Sequence, residues 1–265
     1  MRPKIENRKL RQHGRRKAAF LLGHIMTVEN FQACLAFTLK YEGDKSNDPR
    51  DPGGRTMQGV TQATYDAYRV KKALRRRDVF TIEAAERDEI YRNEYWHSVD
   101  GDRLRAGEDL CVFDFAVNSG PVRALKALRL YAGKPVDEVI HGICAHRLSF
   151  LHALRTWSHF GVGWGRRVAA CEALALRMAH GKAAPEVLTR KAGEANFHSG
   201  KKSTQAVVGA TIMGSATIAH AVHGGMSGAT EIGILVVVAV LAGIFLFHAW
   251  RHGQRAVAFV TEAKR

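Results

Sequence analysis

The chain has 265 residues, 46% of them hydrophobic and 25% charged, with six prolines and four cysteines. This composition excludes a disordered, a collagen-like and a disulfide-stapled small protein, and the length allows one or two domains. Forty Lys and Arg against 25 Asp and Glu leave a formal charge of +15, which calls for a polyanionic partner: nucleic acid, anionic lipid or a bacterial cell wall.

Residues 1–26 carry eight Lys/Arg against the single acid Glu6 and end in the apolar stretch Ala18–Met26. Gly23 and His24 interrupt that stretch and no small-x-small site follows, so a disordered basic arm is expected rather than a signal peptide. Met26 is an alternative start, because helical patterning begins directly after it. Thr27 is the expected N-cap, Glu29 lies in the first turn, and Val28, Phe31, Leu35 and Leu39 share one helical face. Gly43 is the natural stop. From Asp44 to Gly59 nearly every residue is a turn former, leaving room at most for a short hairpin in residues 44–60. Thr61 then caps a helix, and Thr81 opens another that reaches about Trp96.

Arg69–Arg77 holds six basic residues in nine. A solvated helix end is expected there, with an anion-binding patch as the alternative; without aromatics the stretch does not suit single-stranded nucleic acid. Leu110–Asn118 is a densely apolar helix ended by Ser119 and Gly120, and Pro121 opens the next at its first position. Further helices are expected over about 135–157 and 164–180, so the class is mainly α. The four cysteines form no CxxC and lie in apolar stretches, which predicts buried thiols. The 13 histidines form no ligand motif, and no metal or other cofactor is expected.

Ile232–Ala249 is 18 residues without Asp, Glu, Lys or Arg, followed by Trp250 and Arg251; the run predicts a transmembrane helix with an interfacial anchor. Ala206–Val222 is apolar but rich in small residues, and a two-span hairpin turning at Gly224–Gly228 is the alternative. One span keeps the basic flank Arg251–Arg265 cytoplasmic and puts residues 1–200 outside. Two spans put both ends on one side.

Glu42–Thr61, EGDKSNDPRDPGGRTMQGVT, is the most unusual segment: a long polar loop between two apolar helices, the kind of loop that is commonly functional. Glu42 stands at the helix end, backed by Phe37–Tyr41. Partial desolvation there would raise its pKa toward what a general acid needs; a plain surface glutamate is the alternative.

The ordered set Glu42-Gly43, Asn47-Asp48-Pro49, Asp51, Gly53-Gly54, Thr56 and Gly59-Val60-Thr61 resembles the motif of the glycoside hydrolase family 108 lysozymes, N-acetylmuramidases of phages and bacterial secretion systems. The likeness continues through Ile90-Tyr91-Arg92, Tyr95-Trp96 and Phe113–Pro121. Phe160–Trp164 and Arg166-Arg167-Val168 resemble the peptidoglycan-binding-like module that follows in this family. The resemblance implies a lysozyme-like fold with Glu42 as proton donor to the glycosidic oxygen. For a second carboxylate it offers Asp51, nine residues after Glu42, with Asp48 as competitor and a purely turn-shaping role open for both. Thr56 or Thr61 would hold a water. Asp48, Tyr91, Trp96 and Asn118 are the substrate-binding candidates, and Asp114 a further polar one, with core packing or helix capping as the other reading. The family has a second Gly and an aromatic after Glu-Gly, where this chain has Asp44-Lys45.

The expected organisation is a basic arm (1–26), a muramidase domain (27–120), a helical wall-binding-like module (121–180), a polar linker (181–205), an apolar segment that is a candidate first span (206–230), a transmembrane helix (231–250) and a basic tail (251–265). The expected protein is a membrane-tethered peptidoglycan hydrolase of the phage-endolysin or secretion-associated kind. Its expected place is the bacterial inner membrane with the catalytic domain facing the periplasm, or phage-encoded and delivered there. The alternative is a non-catalytic membrane-anchored wall-binding or secretion-accessory protein. No specific nucleic-acid partner is expected.

Overall fold

Phe31, Cys34, Leu35 and Thr38 recur at the spacing of one helical face, and a helix over residues 30–39 (α1) buries all four. The computed structural model describes residues 30–47, 54–222 and 228–265. The basic arm, the cap at Thr27, Val28 and Glu29, the aspartates Asp48 and Asp51 and the turn at residues 224–227 lie outside the described residues. The chain is mainly α and divides into two units, Met1–Ser149 and Phe150–Arg265.

In the first unit α1 is followed by a small antiparallel sheet, β1 (Lys45–Ser46), β2 (Thr56–Met57) and β3 (Val60–Thr61), in that order. Helices α2 (Gln62–Lys71), α3 (Ala84–Tyr91), α4 (Glu108–Ser119), α5 (Pro121–Tyr131) and α6 (Val136–His152) follow. Thr61 caps α2 as its sequence predicts, its hydroxyl accepting from the Thr64 N–H at 3.2 Å. The helix expected from Thr81 instead starts at Ala84. Residues Val79–Thr81 form a 3₁₀ turn, and the reciprocal bonds of Glu83 and Glu86 make the stronger start signal. From Arg92 to Trp96 the helix continues as a π turn. Gly120, at φ 92°, ends α4, and Pro121 opens α5. Both helices lie in this unit, so the compact division falls at 149/150 rather than at residue 120, where the sequence suggested a new module.

The core of this unit is aromatic. Phe31 and Phe113 meet the edge of Trp96 at centroid distances of 5.3 and 5.6 Å. Beside them, α1, α4 and α6 are tied by one buried carboxylate. Asp114 accepts from the Thr38 hydroxyl at 2.9 Å and from Arg147 at 2.6 Å, and all three side chains are essentially inaccessible. The basic stretch 69–77 folds back on its own acids. Arg69 and Arg77 both reach Glu86 at 2.6 Å, Lys72 pairs with Glu89 and Arg77 also meets Glu83. Much of its charge is therefore neutralised within the fold rather than presented to a partner. The four cysteines are buried free thiols.

Asp109, 1% exposed, accepts from Asn30, Gly107 and Leu110. Burial nevertheless pushes its carboxyl up to about 6, against the lowering effect of those bonds. Because the folded value lies above the unfolded one of about 3.9, the protonated form favours folding. That contribution is complete below about pH 4 and is lost as pH rises through about 6, a change of roughly 3 kcal/mol. The difference in unfolding free energy between the wild type and Asp109→Asn, followed from pH 4 to 7, should show this slope; parallel profiles would exclude it.

The second unit is built from α7 (Trp157–His180), α8 (Ala184–Val222) and α9 (Gly228–Ala263). Helix α7 starts seven residues earlier than its glycines suggest, because those glycines seat aromatic rings: a Cβ on Gly161 would meet Trp157, and one on Gly165 would meet Trp250. The stretch 181–205, expected to be a linker, is instead a 3₁₀ turn (Gly181–Ala183) leading into α8. Ala184, Leu188, Ala192 and Ala195 make a buried stripe there, a helical period that the intervening polar residues conceal. Helix α9 is long and apolar enough over Val236–Ala263 to cross a membrane, with a mean hydropathy of 1.5.

Candidate active site

The sheet joins β2 to β3 through Gln58 and Gly59, with Met57 opposite Val60. Both linking residues have positive φ, 48° and 78°, the geometry of the tight turn that matches strand twist. The turn is fastened at several points. The Gln58 N–H donates to the Asp44 carbonyl at 2.8 Å, the Tyr91 hydroxyl donates to the Gln58 carbonyl at 2.9 Å, and Arg87 donates to the Gln58 side chain at 2.5 Å. Helix α3 thus holds the tip of the hairpin.

Glu42 comes to this turn from the other side. Helix α1 closes with the Lys40 and Tyr41 N–H groups on the Phe37 and Thr38 carbonyls, and Glu42 follows as a half-buried residue at a bend. A Cβ on Gly59 would lie 3.4 Å from the Glu42 Cγ and Oε2 and 2.2 Å from the Tyr91 Oη. The carboxylate, the phenol and the bare glycine therefore meet at one point. Tyr95 stands one helical turn beyond Tyr91, the two rings 5.6 Å apart. Burial pushes its phenol above the ordinary range, and the charges of Glu42 and Glu94 push the same way. The arrangement presents a carboxyl on a fastened hairpin, flanked by two tyrosines and still reached by solvent. It can deliver a proton to a group laid across the turn.

Gly59→Ala tests this meeting point. The substitution strains the turn and drives a methyl into Tyr91, so a loss of about 1–3 kcal/mol is expected. A lower unfolding midpoint in chemical denaturation, relative to wild type, should report that loss; an unchanged midpoint would show that the turn and Tyr91 yield without cost.

The other candidates divide. Thr56 and Thr61 face each other across β2 and β3. The Thr56 hydroxyl donates to the Gly54 carbonyl at 3.2 Å, whereas the Thr61 hydroxyl is engaged with the N–H and hydroxyl of Thr64. Tyr91 reaches the site by its hydroxyl only, its ring being buried. Trp96 does not reach it: the residue is 0% exposed, with its indole N–H on Asp102 at 2.8 Å. Its ring belongs to the core and has no face to offer a sugar. Asn118 lies at the end of α4, its side-chain Oδ1 accepting from the Ser119 hydroxyl, and Asp114 is the buried tie described above. Tyr95, Gln58 and Arg87 were not among the sequence candidates. The Tyr91/Tyr95 spacing of four was the available signal for the first, and the Gln-Gly pair before a β-branched residue for the second.

Among the described residues a groove of about 730 Å³ runs between α2 and the α3 end, with Thr64, Tyr68, Glu89, Asn93, Glu94 and His97 on its walls. Its size is that of a small-ligand site. Glu42 does not line it, but Thr64 is in hydroxyl contact with Thr61 at 3.0 Å, two residues past the Gly59 turn.

The family model for glycosyl hydrolase 108 matches residues 35–120, a span that contains Glu42, the hairpin and α3. A solved structure described as SagA of Brucella abortus is similar at 34% identity, with a TM-score of 0.50, over 58% of this chain and 97% of that one. No curated protein sequence matches.

Proposed function

Because the chain belongs to the glycosyl hydrolase 108 family, we propose that it is a lysozyme-type peptidoglycan hydrolase in which Glu42 is the general acid. The bond cleaved is the β-1,4 linkage between N-acetylmuramic acid and N-acetylglucosamine. Glu42 protonates the leaving oxygen as the sugar takes on oxocarbenium character. The observation that carries this reading is the meeting of the Glu42 carboxylate with the Gly59 turn and Tyr91, within the residues matched to the family. The glycan crosses the hairpin and continues toward the groove beside Thr64. Asp51 is the proposed second carboxylate, with Asp48 as its competitor. Thr56, whose neighbour Thr61 is committed to capping α2, is the proposed holder of a water.

The net charge of +15 draws the enzyme to the anionic wall and membrane surface, and α9 tethers it to the bilayer. The test is a time course of reducing ends released from purified sacculi by the full chain in detergent. Steady release is expected. Binding to sacculi without release would favour the non-catalytic alternative instead.

A further inference from the structure

The second unit changes character along its length. At one end α7 lies alongside both α8 and α9, and two ion pairs tie it to α9. Arg255 forms a two-pronged pair with Glu172 at 2.7 Å, and Arg177 meets Glu262 at 3.0 Å. These pairs and the seat of Trp250 on Gly165 run α7 and α9 parallel. Helix α7 begins at Trp157, level with Phe247 (5.9 Å between rings). Beyond that level α8 and α9 continue without α7.

Those two helices are antiparallel and in steady register. Ser199 donates to the Ala249 carbonyl at 2.9 Å, the His198 and His252 rings are 5.4 Å apart, and Lys202 lies 5.2 Å from the Phe245 ring. This register sets residues 206–222 of α8 beside the first part of α9. From Ser203 to Trp250 the chain has no Lys or Arg and one acid, Glu231, close to the tip. Val236, Val237, Val240, Leu241, Ile244 and Leu246 are each about half exposed. The two arms beyond Lys202 and before Arg251 are about 30 and 34 Å long, which matches a hydrocarbon core of about 30 Å.

Where the apolar arms end, two belts gather. Lys201, Lys202 and Arg251 stand at that level on α8 and α9. Trp157, Phe160, Trp164 and Trp250 cluster there as well, with Trp157 and Trp250 at 5.9 Å and Phe160 and Trp164 at 5.6 Å. Aromatic rings and cations at one depth fit the headgroup layer of an anionic leaflet.

We propose that α8 and α9 enter the bilayer together as a two-span hairpin, leaving the first unit and the C-terminus on the same, cytoplasmic face. A single span of α9 would strip α8 from its partner and leave the charge-free residues 206–222 in water. The side follows from the cations, all of which lie at the base and none in the 48-residue excursion. The glycosidase unit is then held on the opposite side of the membrane from the wall, and reaches it only when the bilayer is breached. The inference rests on the membrane attachment proposed for α9, not on the glycosidase reading.

Cysteine labelling tests it independently of activity. In spheroplasts expressing the full chain, a membrane-impermeant maleimide should label Gly228→Cys, while Arg265→Cys should react only after detergent is added. The unsubstituted chain, with its four buried thiols, supplies the background. Labelling of Arg265→Cys in sealed spheroplasts, or recovery of the chain outside the membrane fraction, would overturn the proposal.

Discussion

Glu42→Gln in the full chain should slow reducing-end release from sacculi about 10³-fold, the middle of the range for loss of a general acid, while its thermal unfolding stays close to wild type. The amide has the shape of the acid and fills the same space against the Gly59 turn and Tyr91, so the hairpin has no reason to move. It has no acidic proton to give, and the leaving oxygen must then depart as an alkoxide. Because the loss is confined to the transition state, kcat should carry it and substrate binding should change little. A fall in activity that tracks a fall in stability would instead make Glu42 a structural residue. Undiminished activity would move the acid elsewhere, with Asp44 two residues on as the nearest carboxyl in sequence.

The second large effect concerns stability. Asp114→Ala removes the only acid that the structure pairs with Arg147, among the described residues, and leaves a guanidinium at 2% exposure. Breaking one side of such a buried pair costs about 3–5 kcal/mol, because the remaining charge keeps its desolvation penalty. The Thr38 hydroxyl loses its acceptor at the same time, loosening the helix that delivers Glu42. Chemical denaturation of the first unit, followed by tryptophan fluorescence, should show the lower midpoint. Replacing both charges, Asp114→Ala with Arg147→Met, should recover much of it, since nothing charged is then stranded. If Asp114→Ala proved as stable as wild type but inactive, the residue would belong to sugar binding and the structural role assigned to it would be wrong.

The parts of this site that sequence exposes are those governed by short-range chemistry. The helix stop before Glu42, the crowd of turn formers, the capping threonine at 61 and the Gly120-Pro121 break follow from backbone preferences that act over a few residues. The turn between β2 and β3 follows from the same preferences, whereas the sheet exceeds the single short hairpin expected in 44–60, with a third strand at Lys45–Ser46 and its far edge reaching Thr61. What was hidden depends on packing across the chain. Nothing in the local pattern distinguishes Trp96, turned into the Phe31/Phe113 core, from Tyr95, left beside Glu42. The π turn at Arg92–Trp96 shifts the helical phase between them, and a fixed period does not foresee it. The stretch 181–205 looked like a linker because its charges mask a buried stripe made largely of alanine, which carries little hydrophobic signal. The division at 149/150 falls inside the last turn of α6, where no Gly, Pro or composition change marks it.

In the proposed reaction water cleaves a muramyl bond under the control of Glu42. Mass spectrometry of the fragments released from sacculi in water enriched in oxygen-18 tests it most directly. The expected product is N-acetylmuramic acid at every new reducing end, carrying one heavy oxygen. Ends formed by N-acetylglucosamine, or anhydro sugars that contain no solvent oxygen, would contradict it.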